Sequence, residues 1–116
     1  MKIYEGYRLP DGRCRVVVSN NGHKRPLPPR NKLFNHNPTG FEWGHSGSGP
    51  AQLALAILAD YLDDDQLAVQ LHQDFKFRKI AGLQRDKAWS MSEDDVAREV
   101  VRRPRLVHTV DQALAV

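Results

Sequence analysis

The chain has one cysteine, no apolar run approaching a membrane span, and no lysine or arginine between residues 41 and 75. A single thiol, Cys14, cannot close an internal disulfide, so a reducing cytoplasm is the expected setting. The longest apolar stretch, around Leu53–Leu58, falls far short of the ~20 residues a transmembrane helix needs, and nothing reads as a signal peptide. No internal repeat or low-complexity tract is present. At 116 residues the chain predicts one domain, large enough for a core without staples.

What is present is charge in blocks. Residues 1–40 carry eight Lys/Arg against two acids, Glu5 and Asp11. Residues 41–75 carry six acids and no base, and the remainder returns to a basic balance, for a net +3. Two readings are open: a basic face for polyanions or an acidic face for a basic partner, and complementarity between the blocks inside the molecule.

The pattern of hydrophobics predicts an α+β fold, a small N-terminal antiparallel sheet of two or three strands packed on about three helices. Lys2–Leu9 and Arg13–Ser19 alternate around the turn Pro10-Asp11-Gly12, a β-hairpin. Asn21-Gly22 begins a second turn and a short strand near His23–Leu27, which Pro26, Pro28 and Pro29 confine to an edge. Residues 28–49 form a long connection, residues 50–103 the helical part, and residues 104–116 a tail. Pro50 suits a helix start, and Ala51–Leu62 is apolar on nearly all sides, which marks the central helix. Asp63-Asp64-Asp65 caps a second helix running to about Leu83, with Leu67, Leu71 and Phe75 as one stripe and Phe77, Ile80 and Leu83 as another that packs on a second neighbour. Ser92 with Asp95 resembles a capping box, Met91 with Val96 a hydrophobic staple, and Pro104 ends that third helix. In the tail, Leu106–Val110 fits a strand, while Thr109 with Gln112 fits the start of a short helix, the preferred reading.

The stretch with most chemical content is the loop 40–49 and its junction with the central helix. Its Gly44–Gly49 spacing matches a Walker A loop, but Pro50 and Ala51 stand where lysine and Ser/Thr would reach phosphate and magnesium. A nucleophile elbow at Ser46 fails because Ser48 replaces the second glycine, and a dinucleotide fingerprint from Gly47 fails at Gln52. What remains is a cradle without catalysis. Backbone N–H groups of Gly47, Ser48, Gly49, Ala51 and Gln52, with the hydroxyls of Ser46 and Ser48, suit an oxyanion at a helix N-terminus. Trp43 would stack a base, Glu42 would accept from a ribose hydroxyl or amine, and Arg30, Lys32, His36 and His45 would add positive charge. The competing reading is structural: glycines for close approach, Trp43 for core and serines for the helix end.

The string FEWGHSGSGPAQLALAIL, preceded by HNPTG and followed by QDFK, IAGL and a Trp-Ser-Met-Ser helix start, resembles an uncharacterised family of small phage and bacterial proteins. Members read close to SPTGFEWGYGGSGPAQLALALL, and the likeness covers roughly residues 2–100. Here His45 replaces an aromatic residue, Ser46 a glycine and Asn37 a serine. The resemblance implies a phage or mobile-element setting and supplies no activity, cofactor or catalytic residue.

Five histidines are spread without the tight spacing of a metal site, and Glu42 with His45 lacks a nucleophile, so neither a metal, a cofactor nor an enzyme is expected. Arg8, Arg13, Arg15, Lys24, Arg25, Arg30 and Lys32, interleaved with Tyr4 and Tyr7, would let a sheet face track nucleic acid. The leading expectation is a non-enzymatic cytoplasmic binding protein for a phosphorylated or nucleotide-like ligand, an anti-defence device that sequesters a host signal. The alternatives are a protein–protein inhibitor of a host defence complex, such as an anti-CRISPR, and nucleic-acid binding through the basic sheet.

Overall fold

The computed structural model describes residues 1–101. The expectations for the tail and for the stop at Pro104 lie outside the described residues. The architecture is α+β, with the elements in chain order β1 (Lys2–Arg8), β2 (Cys14–Asn20), β3 (His23–Pro26), α1 (Ser48–Leu62), α2 (Asp65–Phe75), a π-helical turn (Lys76–Ile80), β4 (Trp89–Ser92) and α3 (Glu93–Val101). The four strands lie antiparallel in the order β3-β2-β1-β4.

The two turn signals act as the sequence predicts. Gly12 takes φ +90° in the first turn, and Asn21 and Gly22 take φ 53° and 83° in the second, the left-handed pair of a two-residue hairpin. Register fixes the faces: Tyr4 pairs with Val18 and Met91, and Gly6 with Val16 and Trp89. These residues form the covered face, while Ile3, Glu5, Tyr7, Arg15 and Val17 alternate onto the open one.

Three differences from expectation have physical reasons. The sheet gains a fourth strand, β4, because Trp89 and Met91 alternate with Ser90 and Ser92 and lay their apolar side chains against β1. Ser92 then both ends the strand and caps α3: its N–H donates to Asp95 Oδ2 at 2.9 Å, and its hydroxyl accepts from Asp95 N–H at 3.1 Å. Met91 and Val96, the expected staple, are both buried. The second helix stops being α-helical at Phe75, where the Lys76–Ile80 turn closes with Ala81 N–H donating to the Lys76 carbonyl five residues back. Ile80 packs inside as expected, but Phe77 is 61% exposed, because the widened turn changes the helical phase after Phe75. α1 begins at Ser48 rather than Pro50, with Gly47 as N-cap, so the proline sits within the first turn.

α1 is buried from Gly49 to Ala59 and forms the centre of the molecule. Among the described residues no helix is long and apolar enough to cross a membrane. The charge blocks answer each other internally: Arg8 with Glu42, Arg30 with Asp65, and both Lys2 and Arg25 with Asp60. Asp60 is the hub. It accepts from Tyr4 Oη at 2.8 Å, Arg25 Nη2 at 2.6 Å and Lys2 Nζ at 3.3 Å, tying β1 and β3 to the end of α1. Burial alone would raise its carboxyl, yet the hydrogen bonds from Arg25 and Tyr4 and the charge of Lys2 outweigh burial and hold it below the usual range. Asp60→Asn is therefore expected to cost about 2 kcal/mol at pH 7, between the values for exposed and buried pairs. The unfolded chain takes up the proton first. The stabilisation is thus present above about pH 4 and is lost as pH falls through the folded value, so urea midpoints of the two proteins should converge in acid.

Candidate functional site

The predicted site residues are only partly brought together. Trp43 is fully buried (0% exposed); it meets Trp89 edge-on, with ring centres 5.7 Å apart, and the Arg8 guanidinium lies 5.0 Å from its ring centre. No face of the indole is open for a base, which corrects the stacking role. Glu42 is already engaged inside the molecule. Arg8 holds both of its oxygens in a fork, at 2.9 and 3.0 Å, and this hydrogen bonding keeps the carboxyl ionised below its ordinary range. Arg8 also donates to the Arg85 carbonyl, so β1, the glycine loop and the segment before β4 share one guanidinium.

The glycines of the loop answer to packing. A Cβ on Gly49 would lie 2.6 Å from Glu42 Cβ, and one on Gly44, at φ +83°, would lie 2.7 Å from the Arg85 backbone. Gly47 N–H donates to His45 Nδ1, and its carbonyl accepts from Ala51 as α1 begins. Ser46, Gly47 and Ser48 are exposed, and α1 starts without a side-chain cap or an acidic residue in its first turn. Arg30 is drawn to Asp65 at the start of α2, away from the loop, while Lys32 is exposed and ion-paired with no described residue.

Gln52 has a structural task that its sequence position alone did not indicate. Its side chain is wholly buried, with Oε1 accepting from the N–H groups of His36 and Asn37 and Nε2 donating to the carbonyls of Pro29 and Phe34. One amide thus fixes the connection 29–37 across α1. A ligand cannot reach it.

Beside the predicted loop, a cleft of about 540 Å³ is lined by Asp11, Arg13, Cys14, Asn37, Phe41 and Glu42. Its polar groups already satisfy one another: Arg13 with Asp11, Glu42 with Arg8, and Asn37 with Thr39. The Cys14 thiol is pushed up to about 11 by burial and by the Glu42 charge, so it stays protonated at neutral pH and provides no nucleophile. Among the described residues no group of three or more His, Cys, Asp or Glu is placed to hold a metal ion.

A second surface gathers two imidazoles and a lysine that has no ion-pair partner among the described residues. The connection fixed by Gln52 sets His36 against α2, where its Nε2 lies 2.8 Å from Nε2 of His72. Phe34, 46% exposed, stacks on His36 with ring centres 4.2 Å apart. One turn beyond His72, Lys76 opens the π turn. It is only 6% exposed, and its ammonium lies 4.0 Å from the ring centre of the outward-facing Phe77. No carboxylate or carbonyl among the described residues accepts from that ammonium, in contrast to Lys2, Arg8, Arg25 and Arg30. Burial lowers both imidazoles, and the Lys76 charge lowers them further; His36 is lowered by His72 as well.

A lysine with a buried stem, its ammonium on the exposed Phe77 ring and one helical turn from His72, is placed to receive an anion. π turns interrupting α-helices often occur at functional sites. The surface lies at the same end of the α1–α2 hairpin as the open start of α1, since Gly44 N–H bonds the Ile80 carbonyl. Sequence reasoning named His36 but missed Phe34, His72, Lys76 and Phe77. The four-residue spacing of His72 and Lys76 was visible; that the loop brings His36 to them was not.

No curated protein and no solved structure matches the chain. A family model does, over residues 4–103, and it is described as a family of unknown function. With that share of its length matched, the chain belongs to the family of unknown function DUF6166.

Proposed function

We propose that this chain is a non-enzymatic binding protein for a phosphorylated or nucleotide-like ligand, and that the anionic group is met by Lys76 with His36 and His72. The observation that carries the reading is Lys76, whose stem is buried, whose ammonium lies against the exposed Phe77 ring, and which has no counter-ion among the described residues. A lysine that buries its stem and keeps its head at the surface without a carboxylate partner is free to meet an anion. Phe34 and Phe77 offer exposed faces to a planar group. In the phage or bacterial cytoplasm that the sequence motif suggests, binding without turnover would sequester a host signalling nucleotide.

The test is thermal shift and calorimetry with inorganic phosphate, pyrophosphate and a panel of nucleotides. A binding member of the panel should lose about tenfold or more in affinity in Lys76→Met, worth about 1.4 kcal/mol. A panel that neither raises the melting temperature nor releases heat sinks the reading.

A second reading, an inhibitor that docks on a host defence complex, is favoured by the two exposed phenyl rings of Phe34 and Phe77. Nucleic-acid binding through the sheet has lost its main support. Tyr4 is buried, and of the seven basic residues only Arg15 and Lys32 stand outside ion pairs among the described residues.

A further inference from the structure

The two imidazoles beside Lys76 fix their own proton count. His72 Nδ1 lies 2.6 Å from the Val69 carbonyl oxygen, and a carbonyl can only accept, so that nitrogen carries a hydrogen. At 2.8 Å the two Nε2 atoms share one hydrogen: with none, two lone pairs would face each other, and with two, the N–H groups would collide. One vacant position remains in the neutral pair, Nδ1 of His36. The pair can therefore hold one positive charge while the contact lasts, and no more.

The surroundings decide when it does so. His36 is faced by the Phe34 ring from its own loop, by His72 from α2 and by Lys76 from the π turn, while its backbone N–H is held by Gln52 of α1. His72 is faced by His36, by Lys76 and by the Ala68 and Val69 backbone. The fixed positive charge acting on both rings is that of Lys76. Burial is the main cause that keeps the pair neutral and the Lys76 charge adds to it, so an anion seated on that ammonium removes the added repulsion and favours a proton on the pair.

We infer that the ligand's anionic group is a phosphomonoester dianion, and that its capture takes one proton from solvent onto Nδ1 of His36. Lys76 alone balances one negative charge; Lys76 with a singly protonated histidine pair balances two. A phosphodiester, with one charge, calls for no proton. The inference rests on the ligand surface proposed above and adds the charge class of the ligand and its coupling to pH.

Calorimetry in two buffers of different ionisation enthalpy counts the protons taken up. The probes are adenosine 5′-monophosphate and its 3′,5′-cyclic phosphodiester at pH 7.5, with inorganic phosphate as a third ligand. Expected are uptake of up to about one proton with the monophosphate, none with the cyclic diester, and an affinity for the monophosphate that rises up to about tenfold per pH unit between pH 8 and 7. In His36→Gln, the uptake should vanish while monophosphate binding persists at reduced strength. Monophosphate binding with the same proton count in wild type and His36→Gln overturns the inference and leaves the ligand surface standing. Should that variant not fold, equal proton counts for the two nucleotides on the wild-type protein overturn it equally. Failure of all three probes to bind overturns the reading on which it rests.

Discussion

Gln52→Leu is expected to lower stability by about 4 kcal/mol and the melting temperature by on the order of 15 °C. The substitution keeps the volume of the side chain and removes all four of its hydrogen bonds. It leaves the N–H groups of His36 and Asn37 and the carbonyls of Pro29 and Phe34 without the partner that now meets them. Each of these part-buried groups left unpaired costs up to about 1–3 kcal/mol, and relaxation of the loop toward water recovers part of the sum. Amide hydrogen exchange provides the local readout: His36 and Asn37 should lose protection well before the strands do. Gln52→Glu separates the two halves of the clamp, because it retains the acceptor for the two N–H groups and loses the donor to the two carbonyls. A Gln52→Leu protein that melts within a few degrees of wild type would show that the connection is held by something else.

Gly6→Val is expected to cost about 3 kcal/mol, the upper end of overpacking penalties. Gly6 sits mid-strand in β1, where glycine is otherwise unfavourable, and the reason lies across the sheet. Trp89 on β4 pairs with it and lays its indole over the strand, so a Cβ at position 6 would stand 2.3 Å from Trp89 Cε2 and Nε1. Two backbones could yield only by breaking the β1–β4 ladder. The ring itself must move, and that opens its edge-on contact with Trp43, 5.7 Å between centres. Near-ultraviolet circular dichroism should therefore change together with the urea midpoint. Trp89→Leu carries its own cost but should make Gly6→Val nearly harmless, a coupling of over 1 kcal/mol in a double-mutant cycle. Additive effects of the two substitutions would contradict this packing.

Both predictions concern residues that a reader of the sequence would assign differently. Gln52 looks like the polar exception on an apolar helix, a residue for the ligand cradle, and Gly6 looks like a weak point in an alternating strand. Neither property is local. The partners of Gln52 lie 15 to 23 residues earlier in the chain, and the neighbour that excludes a side chain at Gly6 lies more than 80 residues later. The same holds for the glycine loop. Gly44 and Gly49 have the composition of a phosphate cradle, yet Arg85 and Glu42 occupy the space that their missing side chains leave. Composition cannot distinguish close approach by a ligand from close approach by the protein's own chain.

The sequence by itself determined the features whose causes are short-range. The hairpin follows from alternation on either side of Pro10-Asp11-Gly12, the second turn from Asn21-Gly22, and the buried central helix from an apolar run without a polar stripe. The reciprocal cap of Ser92 and Asp95 depends on three-residue spacing, and so was legible too. Only the tertiary structure decided what depends on contacts between distant segments. Such contacts pair β4 with β1, seal Trp43 between Arg8 and Trp89, and set four of the eight cations of the basic block on carboxylates of the acidic one. They also set His36 against His72 beside a lysine that has no counter-ion among the described residues. Short-range propensity is set by neighbours in the chain, whereas burial and charge pairing depend on which surfaces meet once the chain has folded.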